Sequence, residues 1–153
     1  MDWQKRYENC DTPWDKGCAS PVLEELIELK PFLFPPSRRI LVPGCGIGHD
    51  AIGLAVAGCE VTGIDIAPSA IERAKKLIPD GVDIEFRVAD LFDPKLQQKY
   101  ATAWEHTCFC AIEPSLRRSY VKAIWSLLEL NGCLLGVFFI NPDTEQGEGP
   151  PFG

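Results

Sequence analysis

The chain has no apolar run approaching the roughly 18 residues that cross a bilayer. Its opening, "MDWQKRYENC", is charged where a secretory leader would carry an apolar core. A cytoplasmic protein is expected, with no membrane partner. Basic clusters are also missing: "KRY", "RR" and "RAKK" are scattered, and 15 Lys and Arg stand against 22 Asp and Glu, a net charge of −7. Phosphate backbones need gathered cations, so no nucleic-acid partner is expected and a small-molecule substrate fits better. No pair of the seven cysteines has CxxC spacing. "CFC" at 108–110 would set two thiols on one face of a strand, but no second pair of ligands lies nearby, so no metal is expected. Cys59, Cys108, Cys110 and Cys133 sit in apolar segments, as reduced, buried cysteines do. A Ser-His-Asp or paired-carboxylate pattern is likewise absent.

What is present is the length and composition of one globular domain: 153 residues, 46% hydrophobic and 24% charged. Helix and strand signals alternate, the pattern of a parallel α/β sheet. "SPVLEELIEL" reads as a helix with Ser20 as N-cap and Pro21 at its first position. Then follow "RILV", helix "DAIGLAVA", "EVTGIDI", helix "PSAIERAKKLI" and "DIEFRVA". The chain continues with a fourth strand "WEHTCFCA", helix "SLRRSYVKAIWSLLEL" ending before Asn131, and a fifth strand "CLLGVFFI". The strands are nearly continuous apolar runs, so both faces of the sheet should be covered by helices. A doubly wound, Rossmann-like sheet ordered 3-2-1-4-5 is expected, with its ligand outside the carboxyl ends of the strands.

The loop after the first strand reads Pro43-Gly44-Cys45-Gly46-Ile47-Gly48-His49. Three readings compete for it: a dinucleotide site, a site for S-adenosylmethionine (SAM), and a tight turn without ligand. The dinucleotide fingerprint GxGxxG needs glycine where this chain has His49, and the spacing is instead GxGxG. Asp65 follows Gly46 by 19 residues, at the end of the second strand, where a carboxylate can accept both hydroxyls of a ribose. Ile66 follows it. Past the third strand, Asp90 is placed to accept an adenine amino group, with Leu91 and Phe92 against the base. Alternatively, Asp90 and Asp93 cap the segment that starts at Pro94.

"TPWDKGCASP", "LVPGCGIGHD", "FCAIEP" and "GPPF", in this order, resemble the thiopurine S-methyltransferase family, and most of all its plant and bacterial halide/thiol branch. The resemblance runs from Trp3 to Phe152. It implies the class I methyltransferase fold, SAM as cofactor, and methyl transfer to a small soft nucleophile: a thiol, hydrosulfide, thiocyanate or halide. Such a nucleophile carries its own electron pair, so the protein must supply alignment and a dry pocket rather than a strong base. Within the single domain that the length suggests over residues 1–153, whose residues 142–153 read as a turn-rich tail, the resemblance makes residues 1–18 an arm folded over the cofactor. Trp3, Tyr7 and Trp14 then belong to a lid whose aromatic faces attract a sulfonium by about 0.5 to 2 kcal/mol. The competing reading makes them ordinary core or surface rings.

Two departures stand out. His106 occupies a position where related thiopurine enzymes carry a cofactor-contacting arginine and the halide/thiol branch often carries tyrosine. A cofactor or substrate contact and a packing role are both open for it, and His49 has a matching ambiguity. The family also continues past the fifth strand with a helix and two antiparallel strands, whereas this sequence stops at "GPPFG". Two expectations follow: a homo-oligomer that covers the fifth-strand edge, or a truncated SAM-binding protein with weak or no catalytic activity.

Overall fold

The computed structural model describes residues 1–139; the tail at 142–153, "GPPF" and the last residue of the expected fifth strand lie outside them. The five strands β1 (Arg39–Pro43), β2 (Glu60–Asp65), β3 (Glu85–Val88), β4 (Tyr100–His106) and β5 (Leu128–Val137) form one sheet ordered β3-β2-β1-β4-β5. Every neighbouring pair is parallel, as expected of strands linked through helices. The helices are α1 (Trp3–Glu8), α2 (Pro21–Leu29), α3 (His49–Val56), α4 (Pro68–Lys76) and α5 (Arg117–Leu127).

Alternation along the strands divides the core between the two faces. Ile40 and Val42 of β1, Val61 of β2, Phe86 of β3 and Trp104 of β4 meet Leu23 of α2, Leu54 of α3 and Ile71 of α4. Trp104 has no solvent exposure and meets Phe34 edge to face, ring centroids 6.0 Å apart. On the other face Leu41, Ile64 and Tyr100 pack with Leu127, and Ala103 packs with Tyr120 and Ile124 of α5. Among the described residues no helix is long and apolar enough to cross a membrane.

The structure corrects three local expectations. β4 begins at Tyr100 and ends at His106, where Thr107 turns to φ 68° and Phe109–Ala111 form a 3₁₀ turn. Cys108 and Cys110 are therefore on a turn rather than one face of a strand. The apolar "TCFCA" imitates a strand because the turn itself packs against α5. Secondly, α5 stops at Leu127 and β5 starts at Leu128, earlier than the Asn131-Gly132 pair suggested. That pair makes a bulge inside β5, with Asn131 at φ 64° and the register jumping from Tyr100↔Leu128 to Thr102↔Cys133. Thirdly, the Ser20 side chain makes no cap hydrogen bond; its backbone N–H donates instead to Asp50.

Gly48, which precedes α3, lies at φ +86°, and a Cβ there would fall 2.5 Å from the Phe86 ring. Gly63 is equally tight, its Cβ position 2.7 Å from the same ring. Gly48→Ala should therefore cost about 2 to 4 kcal/mol, combining left-handed strain with overpacking. Denaturant melts should show a smaller cost in a Phe86→Leu background, where the overpacking is relieved. Strictly additive costs would mean that the ring is not the obstacle.

Candidate active site

The glycine loop is sewn to the end of β2. The Cys45 N–H donates to the Ile64 carbonyl at 2.9 Å, and the Gly46 N–H donates to Asp65 Oδ2 at 2.9 Å. Asp65 Oδ1 accepts the Ala67 N–H at 2.9 Å. Only 8% exposed, Asp65 has its carboxyl pushed up by burial, against which the N–H groups of Ala67, Gly46 and Ile66 hold the charge. Gly44, Gly46 and Gly48 all have positive φ, at 57°, 55° and 86°. Pro43 ends β1, buried, just ahead of them.

Side chains from elsewhere occupy the space these glycines leave. A Cβ on Gly44 would lie 2.7 Å from Cys108 Sγ, and one on Gly46 would lie 2.7 Å from the Tyr7 hydroxyl. Burial pushes the Cys108 thiol well up, as do the charges of Glu105 and Asp65. Tyr7 is pushed up by burial and by Asp65, against the indole N–H of Trp14. Both groups therefore keep their protons at neutral pH.

Tyr7 belongs to an arm fastened to α4. Gln4 donates to Ser69 Oγ at 2.7 Å and accepts the Ser69 N–H at 3.0 Å, and Arg73 donates to the Tyr7 carbonyl at 2.8 Å. Trp14 meets Trp3 and Tyr7 edge to face, at 5.6 and 5.9 Å, and the three rings pack against Ala67, Ala70 and Ile47. A cation already lies on this cluster: the Arg6 guanidinium is 4.4 Å from the Trp14 centroid and is paired with Asp11 at 2.9 Å. All three rings thus reach Ile47 of the glycine loop, and the Tyr7 hydroxyl also stands against Gly46.

On the β3 side, Asp90 accepts the Phe92 N–H and Asp93 accepts the Lys95 N–H, each at 2.9 Å, so both carboxylates brace turns. Asp90 is exposed. Leu91 packs inward with the residues beneath α5, whereas Phe92, Val88 and Ile66 are 37%, 53% and 56% exposed. These three give the carboxyl ends of β2 and β3 an apolar rim. A separate cavity of about 180 Å³, lined by Leu41, Tyr100 and Leu127 among others, lies on the face that α5 covers, away from the glycine loop.

At the end of β4, the sequence reading missed the organising residue. Asp50, in the first turn of α3, accepts the Ser20 N–H at 2.6 Å, the Trp104 indole N–H at 2.8 Å and a hydrogen bond with His106 Nδ1 at 3.0 Å. Burial opposes its charge, but hydrogen bonds from His106, Ser20 and Trp104 win and lower its pKa. His106 is raised in turn, chiefly by its hydrogen bond to Asp50 and by the charges of Asp50 and Glu105, against burial. His49 pairs with Asp15 of the arm at 3.2 Å. Glu105 faces the opposite side, 1% exposed, accepting the Phe109 N–H at 2.8 Å and the Tyr120 hydroxyl. Sequence offered one signal for Asp50: an acidic residue in the first turn of the helix after a glycine loop, which reads equally well as a helix-dipole partner.

A five-stranded parallel sheet in this order, with a glycine loop after β1 and a carboxylate ending β2, defines a Rossmann-like domain of the class I methyltransferase type. Magnesium protoporphyrin IX methyltransferase from Synechocystis PCC 6803 shares the fold, with TM-score 0.66 and 19% identity, over 82% of this chain and 64% of that one. A structure described as "Conversion of a Disulfide Bond into a Thioacetal Group during Echinomycin Biosynthesis" matches with TM-score 0.71 and 29% identity, over 82% of this chain and 54% of the other. More narrowly, the chain belongs to the thiopurine S-methyltransferase family, which matches residues 1–153. It is 35% identical to probable thiol methyltransferase 2 of Arabidopsis thaliana and 34% identical to thiocyanate methyltransferase 1 of Brassica oleracea. Both matches cover 98% of this chain, which spans 66% of each relative's length.

The hydrogen bonds at Asp65 generate a stability expectation. Asp65→Asn turns one acceptor oxygen into an NH₂ facing a backbone N–H, which should cost about 1 to 3 kcal/mol. The neighbouring exposed Ile66→Ser should change stability by less than about 0.5 kcal/mol. Equal melting temperatures for Asp65→Asn and the parent would show that the loop is held by other means.

Proposed function

We propose that this chain is a SAM-dependent methyltransferase acting on a small soft nucleophile, a thiol, hydrosulfide, thiocyanate or halide. The observation that carries the reading is Asp65, a buried carboxylate at the end of β2 with the glycine loop laid across it. The residues present suit SAM. The Asp65 oxygens accept the N–H groups of Gly46, Ala67 and Ile66, which leaves the carboxylate lone-pair capacity for a ribose hydroxyl. The exposed rim of Ile66, Val88 and Phe92 offers apolar surface for a purine, and Asp90 stands beside it as an acceptor for an amino group. The loop from Pro43 through Gly44, Gly46 and Gly48 offers its backbone to the methionine part, while Leu91, next to Phe92 in sequence, packs inward. Tyr7 closes the loop side, Trp3 and Trp14 support it, and His106 faces from β4.

SAM, when bound, would supply an electrophilic methyl carbon, to which a soft anion bonds in line as the carbon–sulfur bond breaks and S-adenosylhomocysteine leaves with that electron pair. No residue has to remove a proton from such an acceptor, which agrees with thiol and phenol groups here that hold theirs. The arm excludes water, and a dry pocket favours a reaction in which opposite charges neutralise. The names of the plant relatives, probable thiol methyltransferase 2 and thiocyanate methyltransferase 1, support this acceptor class. Scattered cations and a net charge of −7 support a small-molecule partner rather than nucleic acid, and a cytoplasmic location accords with the composition. β5 is an edge strand among the described residues, with Leu130 on it 93% exposed and Phe138 and Phe139, just past its end, 43% and 47% exposed. A second copy is proposed to cover that edge.

Calorimetry should show SAM and S-adenosylhomocysteine binding and NAD not binding, with Asp65→Ala weakening affinity at least about tenfold, or 1.4 kcal/mol. Turnover should appear with thiocyanate, iodide or hydrosulfide and be absent with amines or DNA. Tight NAD binding, or faster methylation of an amine, would overturn the reading.

A further inference from the structure

We propose that His106, held by Asp50, is the cationic group that binds the anionic acceptor and sets the preference for anions over neutral nucleophiles. The inference rests on the methyltransferase reading above and adds a residue and a charge state to it.

The argument begins with which nitrogen is free. His106 Nδ1 is committed to Asp50 Oδ2 at 3.0 Å, so the ring turns Nε2 away from α3. Nε2 makes no hydrogen bond among the described residues, and the side chain is 31% exposed. Asp50 is 11% exposed and receives two further donors, from Ser20 and Trp104, so it cannot swing away and stays charged. A neutral His106 bonded through Nδ1–H presents a lone pair at Nε2, which repels an anion. The imidazolium presents an N–H and a positive charge instead.

Position agrees with this role. β4 borders β1 on the side away from β2, so Asp65 and the apolar rim lie to one side of the glycine loop and His106 lies to the other. The purine and ribose belong on the first side, which leaves the β4 side for the reacting end. The ionisable groups packed around the ring are few. Asp50 comes from α3; Glu105, on the same strand, faces the other side of the sheet; and His49 is engaged with Asp15. The two carboxylates raise His106, so its charged form extends to higher pH than in an ordinary histidine.

The charge should act on binding more than on the chemical step. As the methyl group moves, the anion's charge disappears, so a nearby cation stabilises the bound acceptor at least as much as the transition state. His106 therefore lowers KM without raising kcat.

Thiocyanate is the probe, because it is an anion throughout pH 5 to 9 and any pH dependence of its KM belongs to the protein. KM should be low at acid pH and rise about tenfold as His106 loses its proton, with kcat nearly flat. His106→Gln should show the high KM at all pH, and His106→Arg a low KM that no longer depends on pH. A readout independent of turnover is available because the chain has two histidines. Proton NMR of the ring C2–H, assigned with His49→Gln, should show His106 titrating above the ordinary range and moving down in Asp50→Asn. Adding thiocyanate to the complex with S-adenosylhomocysteine should shift that signal. A pH-independent KM in the parent, or a His106 titration indifferent to Asp50→Asn, would overturn the proposal. So would a pH dependence that falls on SAM affinity instead, since the cation would then serve the cofactor. If no acceptor is turned over and S-adenosylhomocysteine does not bind, the methyltransferase reading fails. The histidine titration in the free protein, with and without thiocyanate, then still decides whether an anion binds at His106.

Discussion

The close approach of the glycine loop to its neighbours is the constraint on which the rest of the domain depends. Each of its glycines leaves a space that a side chain from a different element fills. Phe86 of β3 stands where a Gly48 side chain would be, Tyr7 of the arm where Gly46 would have one, and Cys108 of the β4 turn where Gly44 would. The loop is thus the meeting point of an outer strand, the arm and the turn after β4. Its glycines act as sockets as much as hinges. That arrangement couples packing to function, because a change of loop position disturbs all three neighbours together.

Two buried carboxylates then divide the carboxyl end of the sheet. Asp65 accepts only backbone N–H groups, and burial dominates its titration, raising it. Asp50 accepts a backbone N–H, an indole N–H and a histidine, and its hydrogen bonds outweigh a comparable burial and lower it. The difference lies in the partners: against burial, the His106 hydrogen bond lowers Asp50 most, those of Ser20 and Trp104 follow, and the charge of the ring adds least. One carboxylate fastens the glycine loop to the end of β2. The other spends its capacity on orienting a ring and pinning Ser20, the residue before α2.

The segment from β1 to β3 was legible because period, turn residues and the spacing from Gly46 to Asp65 all point to one βαβ unit. The strand order followed from topology rules rather than from any single residue. Legibility failed where apolar side chains pack without regular backbone, as in "TCFCA", whose Cys110 and Phe109 are held by α5 although Thr107 has already ended the strand. It failed again at Leu128 to Leu130, where good helix formers are drawn into β5 by pairing with Tyr100 and the bulge at Asn131 marks the middle of a strand instead of a helix stop. Asp50 was invisible for a different reason. Its partners are 30, 54 and 56 residues away, and no local pattern records such contacts.

Charge also looks different at the two scales. A net charge of −7 should repel the anionic acceptors proposed here, yet at physiological salt the field is screened within about 8 Å. Distant carboxylates therefore slow encounter only slightly, and the groups that decide binding are those at the cleft. There the aromatic cluster already holds Arg6, itself neutralised by Asp11, so the arm adds apolar cover with little free charge. Asp65 brings negative charge, useful for hydroxyls and adverse to an acceptor anion. An acidic protein can hold a small anion beside such a carboxylate only by placing a cation on the far side of the loop, and the Asp50-supported ring of His106 occupies that place.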